Sequence, residues 1–551
     1  MFENGCFSIT YSLLGQSPKK TTSSNADIEI VSQLESDLFS VDIKARSPII
    51  IQSFEYTCRY EFKNNTAFFA NGYQSWTDTR EFKCRDKMRD IGFVGKVVRP
   101  LGAIFANAGD YKIAKYSHRK GVFHGNGYAY VRNGSNIELF GSLNERNGYT
   151  IIYADMNKNK IKLAKDLDGI VINDTYNVFS IYFTSNCYDK AFDAYFAKLA
   201  VKPRTLEKLK GYTSWYNYYS NINQEIVLRD LDSLTQSTPE INMFQIDDGY
   251  QTAVGDWLSI DYKKFPNGMK VIADAIHEKG LKAGIWLAPL GAELKSKFYS
   301  EHPDWLIQEN GKPKVVGPNW SNFCGLNFYL PEVREHIRHF FDVVLNEWGY
   351  DMVKLDFLYA ASAIPLQGKT RAENMYDAME FIRECVGTKL ILGCGVPIMP
   401  CFNQVEYMRV GADMGLSWSQ GIYGMTTHRE DVNTRNAIHN GLMRRHLNGR
   451  AFLTDPDVFL LRDYNISHSW EQRKLLAQLI KLTGGVLFVS DDISRYNAEQ
   501  KKYLDYMFSE TNIKIRSIDL SNDVYTIEYE ELGESRKLVF SLKNGEILTK
   551  I

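Results

Sequence analysis

The first 200 residues contain short runs in which apolar and polar positions alternate, a pattern typical of strands that bury one face. The runs at 48–62 and 177–185 are rich in β-branched and aromatic residues, and Asn-Gly pairs at 133–134 and 147–148 separate several such runs. Asn-Gly favours the tight turns of β-hairpins. Because closely spaced strands of this kind are typical of a β-sandwich, we expect an N-terminal β-sandwich domain over residues 1–200.

The pattern changes after residue 200, where helical spacing begins to alternate with short apolar runs. The segment 268–280 carries apolar residues at i, i+3, i+4 and i+7 and ends in a glycine, and the segment 331–349 begins with Pro331 and also ends in a glycine. Proline at the start and glycine just past the end are typical boundaries of an α-helix. Both segments are therefore predicted to be amphipathic helices.

Eight apolar runs are candidate strands between these helices. They lie at 210–216, 241–247, 281–287, 351–356, 389–394, 407–413, 450–455 and 484–490. Eight strands alternating with helices predict a (β/α)8 TIM barrel, which we assign to residues 201–508. Alternation returns near the C-terminus, so residues 509–551 are predicted to form a small C-terminal antiparallel β-sheet domain.

Composition adds two constraints on the partners of this chain. Of the 551 residues 44% are hydrophobic and 24% charged, and the formal net charge is −1. This balance gives no electrostatic reason to expect binding to nucleic acid or to an anionic membrane surface, and no run approaches the roughly 18 apolar residues of a membrane span. We expect a small-molecule substrate, no nucleic acid and no membrane partner, with a homo-oligomer possible.

The cysteines and the N-terminal residues bear on the compartment. Eight cysteines are scattered without a Cys-x-x-Cys pair, which favours free thiols over a disulfide framework or a zinc site. The N-terminal stretch shows no basic segment followed by an apolar one. These observations favour a cytoplasmic protein.

Polar side chains follow most of the predicted barrel strands at their C-terminal ends, where the chemistry of such barrels takes place. An Asp after a strand is more often a helix cap or turn residue than a catalyst, but convergence of several on one barrel mouth favours a functional site. The carboxylates in these positions are Asp247, Asp248, Asp356, Asp413, Asp455, Asp457, Asp491 and Asp492.

Two chemistries could use such carboxylates. One is a cluster that holds a divalent metal, and the other is a carboxylate pair that acts on a glycosidic bond. Lys354 precedes Asp356 by two residues and Arg409 precedes Asp413 by four. Because cations beside the carboxylates would repel a metal, action on a glycosidic bond is the favoured interpretation, and no cofactor or metal is expected.

The ordered motifs resemble the melibiase-like α-galactosidases of glycoside hydrolase family 36, in the clan that also contains family 27. The resemblance is densest from 210 to 495 and is carried by "GYTSWYNYY", "QIDDGYQTAVGDW", "VKLDF", "GCGVP", "MRVGADMGLSW" and "LTDPDVFLLR", while "NGYQSW" at 71–76 resembles the N-terminal sandwich of that family. One departure is "WLAPLGAE", where many members have a Pro-Glu pair, which we interpret as a subgroup difference.

The resemblance implies a retaining exo-glycosidase that removes terminal α-linked galactose by double displacement. Asp356 would be the nucleophile and Asp413 the general acid/base, with the carboxyl groups about 5–5.5 Å apart. Lys354 would keep Asp356 ionised, and Asp247 and Asp248 would bind the axial O4 and the O6 of galactose. The alternatives are an α-N-acetylgalactosaminidase and a raffinose-synthase-like α-galactosyl transferase.

The remaining expected sugar contacts come partly from the resemblance and partly from strand-end positions. Core packing is the competing interpretation for Trp286, and burial in the sandwich for Trp76; Asp457 and Asp492 are expected to be structural. The full set of expected substrate-binding residues is Asp247, Asp248, Lys354, Arg409, Trp257, Trp286, Cys394, Trp76 and Trp215.

Overall fold

The computed structural model describes residues 2–91, 104–238, 240–418 and 428–549. Its N-terminal part is a sandwich of two antiparallel sheets, as predicted. In spatial order one sheet contains Lys19–Thr21, Cys6–Leu13, Ile49–Arg59, Lys160–Lys165, Thr150–Asp155 and Val122–Asn126. The other contains Ile28–Glu35, Leu38–Ala45, Thr175–Cys187, Asn136–Ser142, Tyr128–Asn133, Ala67–Ala70 and Arg80–Phe82.

The predicted Asn-Gly turn at 133–134 connects two strands of the second sheet. Asn133 pairs with Asn136 in the antiparallel register, and Gly134 between them has φ +65°. Glycine reaches this left-handed conformation without a steric penalty. The alternating apolar side chains of both sheets, among them Phe54, Phe140 and Ile152, are buried between the sheets.

The second part of the chain is a barrel of eight parallel strands, each at one of the predicted positions. Barrel strands 1 to 8 are Leu209–Thr213, Met243–Ile246, Lys282–Leu287, Met352–Leu355, Leu390–Gly393, Tyr407–Arg409, Leu453–Asp455 and Val486–Val489. Neighbours in sequence pair in parallel from strand 1 to strand 7, and strand 1 also pairs with strand 8. The amide of Gly485, just before strand 8, donates to Thr454 O in strand 7 at 2.8 Å and links the two ends of the ring.

Helices surround this barrel at all but one of its connections. Tyr188–Lys198 precedes the barrel, and the other α-helices within the described residues are Trp215–Tyr218, Gln224–Ser237, Gly268–Glu278, Lys297–Glu301, Pro331–Asp342, Arg371–Val386, Thr434–Met443, Trp470–Thr483 and Ala498–Phe508. Both helices predicted from their spacing are present, and the second continues as a π-helical turn over Val343–Glu347. Between strands 5 and 6 the chain forms only the 3₁₀ turn Met399–Cys401, so the expected alternation fails at this connection.

Two further features differ from a plain barrel. The connection after strand 3 contains a three-stranded antiparallel sheet, Gly291–Glu293, Val315–Gly317 and Phe323–Gly325, and a short hairpin, Gln308–Glu309 with Lys312–Pro313. The chain ends in the predicted antiparallel sheet, Ile513–Ser521, Val524–Glu531 and Glu534–Ser541.

A loop of the sandwich pairs with the chain directly after strand 5. Gln74 forms an antiparallel bridge with Pro397, and the Ser75 amide donates to Val396 O at 3.0 Å. The Ser75 hydroxyl in turn accepts from the Gly395 amide at 3.0 Å. The segment 71–79, which carries the "NGYQSW" motif, therefore belongs to the mouth of the barrel.

Candidate active site

A cavity of about 670 Å³ lies at the C-terminal ends of the barrel strands, within the size range of small-ligand sites. Eight of the eleven predicted site residues line it: Trp76, Trp215, Asp247, Asp248, Trp286, Lys354, Asp356 and Asp413. They follow or end different strands that converge at one rim, which is why residues far apart in sequence meet here.

Asp247 and Lys354 form a buried ion pair on one wall of the cavity. Lys354 Nζ lies 2.8 Å from Asp247 Oδ2, and the two side chains are 7% and 3% exposed. The same oxygen accepts from Gln245 Nε2 at 2.9 Å. Burial lowers the pKa of Lys354, but the Asp247 carboxylate, together with the nearby Cys394 and Asp356 side chains, raises that pKa above its ordinary value. The lysine is therefore charged at neutral pH, and its direct partner is Asp247 rather than Asp356.

Asp356 follows barrel strand 4 and is held at the cavity by donors on both oxygens. The Phe357 amide donates to Oδ1 at 2.9 Å and Trp286 Nε1 to Oδ2 at 3.3 Å. Burial raises the pKa of Asp356; the nearby charge of Lys354 opposes this and that of Asp413 reinforces it. Phe357 has φ +53°, a conformation that is strained for a side chain of its size and recurs at functional sites.

Asp413 shares the guanidinium of Arg409 with two buried carboxylates. Arg409 Nη1 lies 3.0 Å from Asp413 Oδ1, Nε lies 2.9 Å from Asp455 Oδ2, and Nη2 lies 2.9 Å from Asp457 Oδ1. Three carboxylates around one cation leave the cluster with an excess of negative charge. Asp413 is the exposed member, with 36% of its side chain accessible, and it is the one that faces the cavity.

Asp457 also holds the backbone next to the acid/base candidate. Its Oδ2 accepts from the Met414 amide at 2.6 Å and from the Tyr216 hydroxyl. Burial raises the pKa of Asp457 to about 6, against the opposing charge of Arg409. Its φ of +86° is unusual for an aspartate. Asp492 behaves differently, because it caps the short helix Ile493–Arg495 through the Ser494 amide.

Three of the predicted sugar contacts lie behind the cavity wall. Within the described ranges, that wall does not include Arg409, Trp257 or Cys394. The Arg409 guanidinium is buried among its carboxylates, Trp257 packs against Trp286 with ring centroids 5.7 Å apart, and the Cys394 thiol hydrogen-bonds Asp356. These three side chains therefore do not form the wall of the cavity, and their contact with a sugar stays a prediction.

The insertion after strand 3 contributes a wall that the sequence did not reveal. Trp320 Nε1 donates to Asp248 Oδ2 at 3.0 Å, while Gln251 Nε2 donates to Oδ1 at 2.6 Å. Burial raises the pKa of Asp248, and both hydrogen bonds oppose that rise. Trp320 itself has φ +55°. Its neighbours in the sequence, "GPNWSN", contain turn-forming residues but no periodic pattern, so nothing there marked it as a cavity residue.

Trp76 reaches the cavity from the sandwich. Its ring packs edge-on against Phe357 and Tyr359, with centroid distances of 5.1 and 5.8 Å. A Cβ placed on Gly395, which has φ +57°, would lie 2.8 Å from the Trp76 ring and 3.0 Å from Asp356 Oδ1. Trp76 and the nucleophile candidate are thus neighbours across a glycine that leaves no room for a side chain.

The outer part of the cavity contains residues that were not predicted. Phe105 and Ala108 come from the sandwich part of the chain, and His428, Glu430 and Asp431 come from the connection after strand 6. Glu430 accepts from the Thr77 and Tyr111 hydroxyls, each at 2.7 Å. These residues lie away from the strand ends, the positions on which the prediction relied.

Other kinds of site are not supported in the described part of the chain. No group of three or more His, Cys, Asp or Glu side chains there is arranged to hold a metal ion. All eight cysteines are unpaired. Among the helices so described, none combines the length and apolarity required to cross a membrane.

Comparisons with known proteins agree with this architecture. Residues 174–383 match the Melibiase family model. Alpha-galactosidase 1 of Pediococcus pentosaceus is 35% identical over 123 residues, 21% of this chain and 16% of that protein. Alpha-galactosidase Mel36A of Lactobacillus acidophilus is 31% identical over 158 residues, 27% of this chain and 21% of that protein. The matched segments thus span about a fifth of these relatives.

A solved structure covers nearly the whole chain. The α-galactosidase TtGalA of Thermus thermophilus, in complex with p-nitrophenyl α-D-galactopyranoside, superposes with a TM-score of 0.72 at 24% identity over 93% of this chain and 98% of that one. The superposition shows that this chain has the fold of that protein. The match of residues 174–383 to the Melibiase model agrees with the resemblance to the melibiase-like glycoside hydrolase family 36 that the sequence motifs indicate.

Proposed function

We propose that this chain is a retaining α-galactosidase that releases terminal α-linked galactose from oligosaccharides or glycoconjugates. The observation that carries the proposal is the placement of Asp356 and Asp413, from different barrel strands, on one cavity that also contains the Asp247–Lys354 pair. Further support comes from the α-galactosidases among its relatives.

In the first step an oxygen of the Asp356 carboxylate attacks the anomeric carbon and the bond from that carbon to the departing oxygen breaks. The proton of the Asp413 carboxyl passes to the departing oxygen, so the aglycone leaves as a neutral alcohol. In the second step water attacks the anomeric carbon and gives a proton to the Asp413 carboxylate. The ester to Asp356 breaks, and both carboxyl groups return to their starting states.

The polar groups around this pair suit a galactosyl ring. Asp247 and Asp248 are fixed by Lys354 and Trp320, so their oxygens are oriented before the sugar arrives. A site whose buried hydrogen-bonding groups would be left unpaired by a sugar with an equatorial O4 can reject that sugar by about 10⁴–10⁵-fold. Trp76, Trp215 and Trp286 supply apolar faces for the C–H surface of the ring.

Initial rates on an aryl α-galactoside and an aryl α-N-acetylgalactosaminide, each with and without chelator, test the proposal. We expect chelator-insensitive release of galactose, formed first as the α-anomer by NMR. Asp356→Asn abolishes it, whereas Asp492→Asn, at the end of barrel strand 8 but outside the cavity wall, retains it. Formation of the β-anomer would refute the retaining mechanism. Release from the acetamido substrate alone would indicate an α-N-acetylgalactosaminidase. Transfer of galactose to an acceptor sugar without hydrolysis would indicate a raffinose-synthase-like transferase.

A further inference from the structure

A fully buried guanidinium joins the sandwich to the barrel directly behind the cavity. Arg444 follows the helix Thr434–Met443 and is 0% exposed. Its Nη1 donates to Ser75 O at 2.6 Å and to Val410 O at 2.8 Å. Its Nη2 donates to Gly72 O at 3.1 Å and to Gln74 O at 2.9 Å. Three carbonyls of the sandwich loop and one carbonyl just after barrel strand 6 thus share a single side chain.

This cation is buried without a counter-charge in contact. Across the residues that the structure describes, no carboxylate lies within 4.0 Å of Arg444, and its Nε has no hydrogen-bond partner. Burial lowers the pKa of Arg444 to about 10. Charged groups are rarely buried unless paired, because desolvation is strongly unfavourable. What offsets this cost is the set of four carbonyls that Arg444 holds together, because each of them would otherwise be a buried acceptor without this donor.

The two segments that Arg444 joins both lead to residues of the candidate active site. Ser75 precedes Trp76, whose ring lies across Gly395 from Asp356. Val410 lies three residues before Asp413 and its amide donates to Asp455 O at 3.0 Å. The guanidinium therefore fixes the sandwich loop relative to the strand end that carries the acid/base candidate. Its planar set of donors matches four carbonyls, a geometry that the three donors of a lysine do not reproduce.

We propose that Arg444 is a positioning residue that holds the 72–75 loop against barrel strand 6, so that Trp76 becomes a fixed wall of the sugar site. The predicted effect on kcat/KM rests on the proposed function. The order of the 72–75 loop, in contrast, can be measured without any enzymatic turnover. The position of Trp76 at the cavity thereby depends on one buried side chain rather than on general contact between the two parts.

A double-mutant cycle tests this coupling. Arg444→Met and Trp76→Ala should each lower kcat/KM on the aryl α-galactoside about tenfold, mainly through KM, since each removes the same ring contact. The double variant should be no worse than the single ones, because the ring that Arg444 positions is already gone. Arg444→Lys should recover part of the loss and provides a milder variant if Arg444→Met folds poorly.

Arg371→Met is the matched control. Arg371 also links the barrel to the sandwich, through Asp166 and Asp168 at 3.0 and 2.8 Å, but neither partner lines the cavity. We expect its KM to equal that of the native protein even if its melting temperature falls. An equal rise of KM in this variant would overturn the inference, because general contact between sandwich and barrel would then explain the effect.

Hydrogen–deuterium exchange of the segment 72–79 supplies a readout independent of activity. In the native protein the Ser75 and Asp78 amides donate to Val396 O and Arg429 O at 3.0 and 2.8 Å. Exchange there should be faster in Arg444→Lys and unchanged in Arg371→Met. Unchanged exchange in Arg444→Lys, or additive losses in the cycle, would refute the positioning role. A native protein that hydrolyses no α-galactoside would instead refute the proposed function, while the exchange result still decides the role of Arg444.

Discussion

Replacing Lys354 by Met should separate what the buried ion pair does for stability from what it does for catalysis. The substitution keeps an unbranched side chain that is one atom shorter and removes the charge, leaving the Asp247 carboxylate buried and without its cation. Both side chains are nearly inaccessible and 2.8 Å apart. Removing one partner of such a pair destabilises a protein by about 3–5 kcal/mol. Asp247→Asn should have a loss of similar size, because it leaves the ammonium unpaired.

The double variant should recover most of this stability without recovering activity. With both charges gone, the desolvation penalty disappears, and we expect unfolding within about 1 kcal/mol of the native protein. Activity should stay well below the native value but measurable, since the sugar loses two polar partners. Because the pKa of Lys354 is raised, its contribution is complete below the ordinary lysine pKa and declines only as pH rises through the higher folded value. Measurements at pH 7 therefore report the full effect.

Urea unfolding followed by tryptophan fluorescence, with kcat/KM on the aryl α-galactoside in parallel, measures both quantities. Three results would contradict the reasoning: a loss below about 1 kcal/mol in Lys354→Met, a double variant whose loss equals the sum of the single ones, or a double variant with native activity. The first two would mean that the pair is not coupled as the geometry requires. The third would mean that its charges are not needed by the substrate.

Three further predictions concern other parts of the site. Gly395→Ala should lower kcat/KM at least about tenfold, because the added methyl group would clash with Trp76 and Asp356. The control is Gly387→Ala, with a similar φ of +63° but open space around it, which should lose only about 1 kcal/mol of stability. Equal activities of the two variants would refute the steric argument. Since burial raises the pKa of Asp356, activity should fall on the acid side at a pH above the ordinary carboxyl range, and loss of the Lys354 charge should move that limb further up. A shift of the acid limb of the kcat/KM profile to lower pH after loss of the Lys354 charge would contradict this sign. Trp320→Phe should raise KM about tenfold by removing a hydrogen bond to a buried carboxylate, with an unchanged KM counting against that contact.

The barrel strands were predictable because their signal is local. A strand such as Val486–Val489 is buried along its whole length, so it forms a continuous apolar run, which ends before the polar residues Ser490 and Asp491. The carboxylates at the strand ends followed from the same pattern, and the roles given to Asp356 and Asp413 followed from the family resemblance. Those roles remain predictions that the experiments above test.

The rest of the site depends on contacts between distant parts of the chain. Trp320 lies on an insertion whose strands have only three residues each, too short to show a period. Arg409 was expected to face the sugar, but its three carboxylate partners lie on segments whose packing the sequence does not reveal. The connection after strand 5, which has no α-helix, pairs with the sandwich loop through Gln74 and Ser75, a long-range contact that no window of residues contains.

The distance in sequence between Ser75 and Arg444 has a consequence for how the protein is made. The hydrogen bond between them spans 369 residues. At a synthesis rate of roughly 5–20 residues per second, a ribosome needs on the order of 20–70 s to add the arginine after the loop has emerged. During that interval the loop carbonyls lack their arginine donor. The wall formed by Trp76 is therefore completed late in translation, and catalytic competence is expected to appear only after nearly the whole barrel has been synthesised.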